Sequence, residues 1–256
     1  MTDRARHIRS GDLRSLARAM TAVENRTEEG AAILAELAPF AGDARIAGIT
    51  GPPGAGKSTL IDALARHLRR QSKSVAVLAI DPSSRITGGA ILGDRIRMQR
   101  HSGDQGVFIR SVATRGASGG VAGATAGLVR LLDGAGRDAV LVETVGVGQD
   151  ETEIAALVPV TVVVLAPGMG DDVQALKAGI MEIANVFVVN KSDQPGADQV
   201  AAEVRGMLDL GTGADDATRP AVLQTVASQD RGIAELWEAI EQAWAGAMPH
   251  RAPTGD

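Results

Sequence analysis

Gly51-Pro52-Pro53-Gly54-Ala55-Gly56-Lys57-Ser58 stands between an apolar run, Ile46 to Thr50, and a helical pattern, Thr59 to Arg70. A G-x-x-x-x-G-K-S loop joining a strand to a helix is the context that a phosphate-binding loop requires. Its glycines let successive backbone N–H groups converge on an anion without Cβ interference. Lys57 supplies a point charge for β- and γ-phosphates, and Ser58 offers a hydroxyl to Mg²⁺. The helix that follows presents its positive end to the same phosphates. A glycine-rich turn with no ligand would not need Lys and Ser at those two places. The nucleotide-cradling set is therefore Gly51, Gly54, Ala55, Gly56, Lys57, Ser58 and Thr59.

Outward from this loop, apolar runs alternate with helical patterns. The runs are 45–50, 74–81, 106–113, 139–144, 160–167, 185–191 and 220–227, with amphipathic segments at 120–132, 171–184, 197–210 and 233–247. Strands apolar throughout and separated by helices signify a parallel sheet covered on both faces. The expected fold is an α/β P-loop NTPase with a mostly parallel sheet of about seven strands and helices on both faces. Ahead of it the first forty residues read as a helical arm. Leu13, Leu16, Ala17, Met20 and Val23 share one helix face behind an Asp12 cap, and a second helix starts at a Thr27 cap and stops at Pro39. The expected organisation is an arm over residues 1–42, a nucleotide-binding domain over 43–247 and a tail over 248–256. Residues 211–217 read as a surface loop.

Composition sets the bounds. The 256 residues carry a net charge of −5 with 2% aromatics and no Tyr, which argues against nucleic acid as the partner. The absence of Cys removes disulfides, thiolate ligands and cysteine nucleophiles together, and a reducing cytoplasm fits. Residues 1–20 carry five Arg, but Asp3 and Asp12 interrupt them and no apolar segment follows, so they read as fold and not as a targeting peptide. The uncharged stretch Ile154 to Met169 is too short for a membrane span and contains Pro159 and Pro167. No membrane association is expected.

Ligands of such sheets bind beyond the carboxyl ends of the strands. There Asn190-Lys191-Ser192-Asp193 forms an N-K-x-D box. The Asp193 carboxylate can accept from guanine N1–H and the 2-amino group, a pair that adenine lacks; Asn190 can reach N7, and the Lys191 stem can cover a base face. GTP and GDP are the expected nucleotides. Ala227, ending the last run, is a candidate to meet guanine O6 through its N–H, with an ordinary strand end as the alternative. Glu143, three residues before Gly146, has the layout of a metal-side D-x-x-G motif with Glu for Asp, so Gly146 could turn its N–H to the γ-phosphate. Asp81 ends the second run, and the glycine-rich stretch to Asp94 reads as a loop closing over nucleotide. Either carboxylate could hold the metal shell or orient the attacking water, and spacing does not divide those roles. Arg95 and Arg97 read as a solvated helix face.

These stretches resemble the MeaB/ArgK GTPases, chaperones of adenosylcobalamin-dependent acyl-CoA mutases. The matching residues are 51–60 (GPPGAGKSTL), 81–84 (DPSS), 87–98 (TGGAILGDRIRM), 143–149 (ETVGVGQ), 190–193 (NKSD) and the arm pattern at 13–25. The resemblance implies that Lys57, Ser58, Asp81, Asp94 and Glu143 form the phosphate and Mg²⁺ site, with Lys57, Asp81, Asp94 and Glu143 catalytic. It implies a further switch over 167–177, in which Gln174 and Lys177 share a helical face. The partner it implies is an adenosylcobalamin-dependent acyl-CoA mutase, with a cobalamin adenosyltransferase as a further one. A homodimer is also implied, although family members continue into a C-terminal helical extension and only twelve residues follow Trp244 here. No water-activating residue is evident beside Gly146, where Val147 stands, so hydrolysis is expected to be slow alone and stimulated by the partner. A nickel metallochaperone would need ligand clusters, whereas His7, His67, His101 and His250 are scattered. A nucleotide-dependent kinase is the remaining alternative.

Overall fold

The computed structural model describes residues 1–81, 99–101, 103–113, 120–144, 154–169, 180–210 and 219–247. Among the described residues there are seven strands, and every pair with a defined register is parallel. The chain divides into two units, Met1–Arg45 with Ala65–Thr144 and Ile46–Leu64 with Val145–Asp256.

The first unit opens on three helices. Helix α1 (Asp3–Arg9) and helix α2 (Leu13–Glu24) are separated at Gly11, whose φ of +91° is open to glycine at little steric cost. Asp12 caps α2 as expected, accepting from Arg14 N–H at 3.2 Å and Ser15 N–H at 3.0 Å. Thr27 likewise caps α3 (Glu28–Leu37), and a 3₁₀ turn containing Pro39 ends it. The α2/α3 crossing is close because of Gly30: a Cβ there would lie 2.6 Å from the Ala22 carbonyl. Helices α2 and α3 pack on α5 (Gly120–Gly134), and Leu16, Met20, Val23 and Leu37 are buried, as are Leu128 and Leu131. The unit's strands are β2 (Val75–Asp81), flanked by β3 (Val107–Ala113) and β4 (Ala139–Glu143). Arg110 of β3 reaches back to α2, donating to Glu24 at 2.7 Å and Thr21 at 3.1 Å.

The second unit holds β1 (Arg45–Thr50), β5 (Val160–Leu165), β6 (Val186–Val189) and β7 (Ala221–Gln224), paired in that order. Helix α4 (Lys57–Arg70) follows β1 and belongs to this unit as far as Leu64. The short helix α6 (Ile180–Ile183) precedes β6, α7 (Ala197–Leu210) follows it, and α8 (Ile233–Ala247) follows β7. Val200, Ala201 and Val204 of α7 close over Phe187 and Val189 of β6. Burying one such Val or Phe side chain contributes about 1.5–3 kcal/mol, enough to hold a four-residue strand in place. Among the described residues no helix is long and apolar enough to cross a membrane.

Candidate functional site

The turn between β1 and α4 is built from residues that need its shape. Gly51, Gly54 and Gly56 have φ of +133°, +82° and +94°, values that side-chain-bearing residues rarely adopt. Space enforces the choice at two of them. A Cβ on Gly51 would sit 2.1 Å from the Val164 carbonyl oxygen, and one on Gly56 would sit 2.4 Å from Asn190 Nδ2.

Four side-chain hydrogen bonds engage the loop's carbonyls. Lys57 Nζ, on a residue only 7% exposed, donates to the Gly51 carbonyl at 2.7 Å and the Pro52 carbonyl at 3.1 Å. Asn190 Nδ2 donates to the Ala55 carbonyl at 3.0 Å, and Lys191 Nζ donates to the Gly54 carbonyl at 2.8 Å. With carbonyls engaged by donors, loop N–H groups are the polarity left for a phosphate. Ser58, buried at the start of α4, and Thr59 beside it lie in the first turn of that helix, where anions are favoured.

The N-K-x-D box sits at the end of β6 and is locked to this loop. Asn190 Oδ1 accepts from the Thr225 hydroxyl and from the Ala227 N–H, each at 3.1 Å, while Ser192 N–H donates to the Thr225 carbonyl at 3.0 Å. Lys191 pivots through a left-handed conformation with φ +57° to reach Gly54. Asp193 is exposed. Two of the expected base contacts are thus differently employed in this structure. The Ala227 N–H, expected at guanine O6, donates to Asn190, and Asn190, expected at N7, bridges the loop to the strand end after β7. A planar amide with a donor on one side and an acceptor on the other suits that bridge, and it leaves Asp193 as the box's exposed carboxylate. Thr225 was not singled out from the sequence; a hydroxyl next to a strand end carries no signal until the strand is paired with β6.

In the first unit, Asp81 ends β2 and Glu143 ends β4. Glu143 lies opposite Ala79 in the register, so Asp81 stands two residues further along the adjacent strand. Glu143 is 5% exposed and Thr144 after it 2%. A buried carboxylate at a strand end is a hard oxygen donor of the kind that Mg²⁺ takes, as is the Ser58 hydroxyl. Asp94, Gly146, Arg95, Arg97, Val147 and residues 170–177 of the further switch, with Gln174 and Lys177, lie outside the described residues, as does the loop 211–217.

Residues 16–250 match the family model described as methylmalonyl-CoA mutase-associated GTPase MeaB. The chain is 52% identical over 237 residues to a Pyrococcus abyssi protein named as a GTPase, covering 92% of this chain and 73% of that one. It is 40% identical over 247 residues to the GTPase ArgK of Escherichia coli K12, covering 94% of this chain and 75% of the other. The crystal structure of a LAO/AO transport system kinase superposes with a TM-score of 0.76 at 34% identity, over 96% of this chain and 74% of that one.

Proposed function

This chain belongs to the MeaB family of GTPases, and on that premise we propose that its GTP hydrolysis gates cofactor loading or protection of an adenosylcobalamin-dependent acyl-CoA mutase. The observation that carries the proposal is the family match over residues 16–250, whose description names association with methylmalonyl-CoA mutase. The geometry of the nucleotide loop supports the GTPase half of the reading. A loop whose carbonyls are held by Lys57, Asn190 and Lys191 is organised for phosphate before any ligand arrives.

The roles we assign follow from chemistry. Lys57 exchanges its carbonyl partners for β- and γ-phosphate oxygens. Ser58, with carboxylates from Asp81, Asp94 and Glu143, supplies the oxygens for Mg²⁺, which when bound neutralises charge on the phosphates. Asp193 reads guanine from its exposed position, and Lys191 covers one base face. Gly146 contacts the γ-phosphate and Ala227 lies at the base edge. Residues 167–177 carry the nucleotide state to the mutase. Water is positioned by the partner or by switch movement, so turnover is slow in its absence.

The test is the GTPase rate of the purified chain with and without an adenosylcobalamin-dependent acyl-CoA mutase, together with co-purification of the two. Stimulation of about tenfold or more is expected, within the range partner-supplied groups give other GTPases. An equal rate with every such mutase tried, and no co-purification, would remove the gating role while leaving the GTPase intact.

A further inference from the structure

The unit that carries the nucleotide loop holds a cavity of about 290 Å³ between the second half of α8 and the amino ends of β6 and β7. Asn185 stands just before β6, Arg219 just before β7, and Ala221 opens β7. Asn190 and Ala227, the residues read as base contacts, follow the other ends of the same two strands. A molecule in this cavity therefore does not compete with nucleotide.

Small side chains keep the space open. Ala239 and Ala243 share one face of α8 at a spacing of four, and Ala221 adds a third methyl from β7. At the volume that one liquid water takes, the cavity has room for about ten non-hydrogen atoms. A leucine in place of Ala243 would fill much of it.

The polar lining is rich in donors. Asn185 Oδ1 accepts from the Thr161 N–H at 2.7 Å, and the Asn185 main-chain N–H donates to the Thr161 carbonyl at 2.9 Å. Its amide is thereby fixed with the oxygen engaged and the two Nδ2 hydrogens left over. Arg219 gives Nη2 to Asp209, which steadies the guanidinium and offsets part of its charge, yet four further N–H donors remain on that group. The exposed Gln242 amide completes the rim. Fixed donors above methyl walls suit an anionic acceptor on an aliphatic body, and a guanidinium matches the two oxygens of a carboxylate.

We propose that this cavity binds a short aliphatic carboxylate, its head group on Arg219 and Asn185 and its chain along Ala221, Ala239 and Ala243. The site is independent of the mutase-gating role.

The experiment is an amide chemical-shift titration of the full chain, saturated with GDP, with hexanoate and, separately, with hexanamide. Hexanoate should give saturable shifts at Ala221, Ala239 and Ala243 with a dissociation constant of about 1 mM, a range open to a ligand this small. Hexanamide should bind about tenfold more weakly or worse, because hydrogen bonds to a charged acceptor are the stronger ones. Arg219→Gln and Ala243→Leu should each weaken hexanoate by a similar factor while GDP affinity stays at the wild-type value. Shifts that do not saturate or that fall elsewhere, equal binding of the amide, or unchanged hexanoate binding in both variants would overturn the proposal. If Ala243→Leu does not fold, Arg219→Gln and the amide comparison decide it.

Discussion

The nucleotide loop at 51–57 and the arm linker at 41–44 are both irregular backbone held by polar side chains, with opposite polarity. In the loop, Lys57, Asn190 and Lys191 donate to four carbonyls. In the linker, the Asp133 carboxylate accepts two N–H groups, from Gly42 and Ala44. Satisfying carbonyls with donors leaves N–H groups for an anion, whereas satisfying N–H groups with a carboxylate consumes that capacity and adds a negative charge. One clip prepares a binding site and the other fixes the arm beside α5. The difference lies in the type of the clipping side chain, and substitution can expose it.

The largest effect is expected from Lys57→Ala. Removing the buried ammonium should lower GTP affinity or hydrolysis by about a hundredfold or more, in the range seen for loss of one preorganised charge-stabilising donor. Circular dichroism should show an intact fold, and an unfolded variant would mean that Lys57 holds structure more than it serves phosphate. Gly56→Ala against Gly136→Ala comes next. Both positions have positive φ, +94° and +77°, but only at Gly56 does a Cβ meet another group, Asn190 Nδ2 at 2.4 Å. Gly136→Ala should cost about 1 kcal/mol of stability with GTP binding unchanged, while Gly56→Ala should cost more and also lose GTP affinity in calorimetry.

Asp133→Ala should destabilise by about 1–3 kcal/mol through its orphaned N–H partners and leave the GTP dissociation constant at the wild-type value. Loss of nucleotide affinity there would erase the distinction between the two clips. The smallest effect concerns pH. Burial, then the Arg66 charge, lowers the His101 pKa from 6.5, and Asp104 opposes them. Between 6.5 and that lower folded value the unfolded chain takes a proton that the folded chain resists, so stability falls as pH falls. Wild type should lose about a degree more in Tm than His101→Gln between pH 7 and 5.

Much of this was legible from residue patterns, and the reason differs by region. The seven apolar runs are strands within three residues of their expected ends, because a sheet buried on both faces leaves continuous Val, Ile and Leu. Caps at Asp12 and Thr27 were readable since their partners lie two or three residues away. The break at Gly11 that makes α1 a separate helix was not, as a single glycine is tolerated inside helical patterns. Asn190 was recognisable as part of a base box, but its bonds to Ala55 and Ala227 span 135 and 37 residues and exist only once β6 lies between β5 and β7.

In the proposed reading Asp193, the exposed carboxylate of the N-K-x-D box, selects guanine. Measuring GTP and XTP affinity of Asp193→Asn tests it most directly. The account predicts a GTP affinity weakened by tenfold or more, about 1.4 kcal/mol or above, and a gain for XTP, whose 2-oxo group accepts from the new amide. Unchanged GTP affinity, with no gain for XTP, would contradict it.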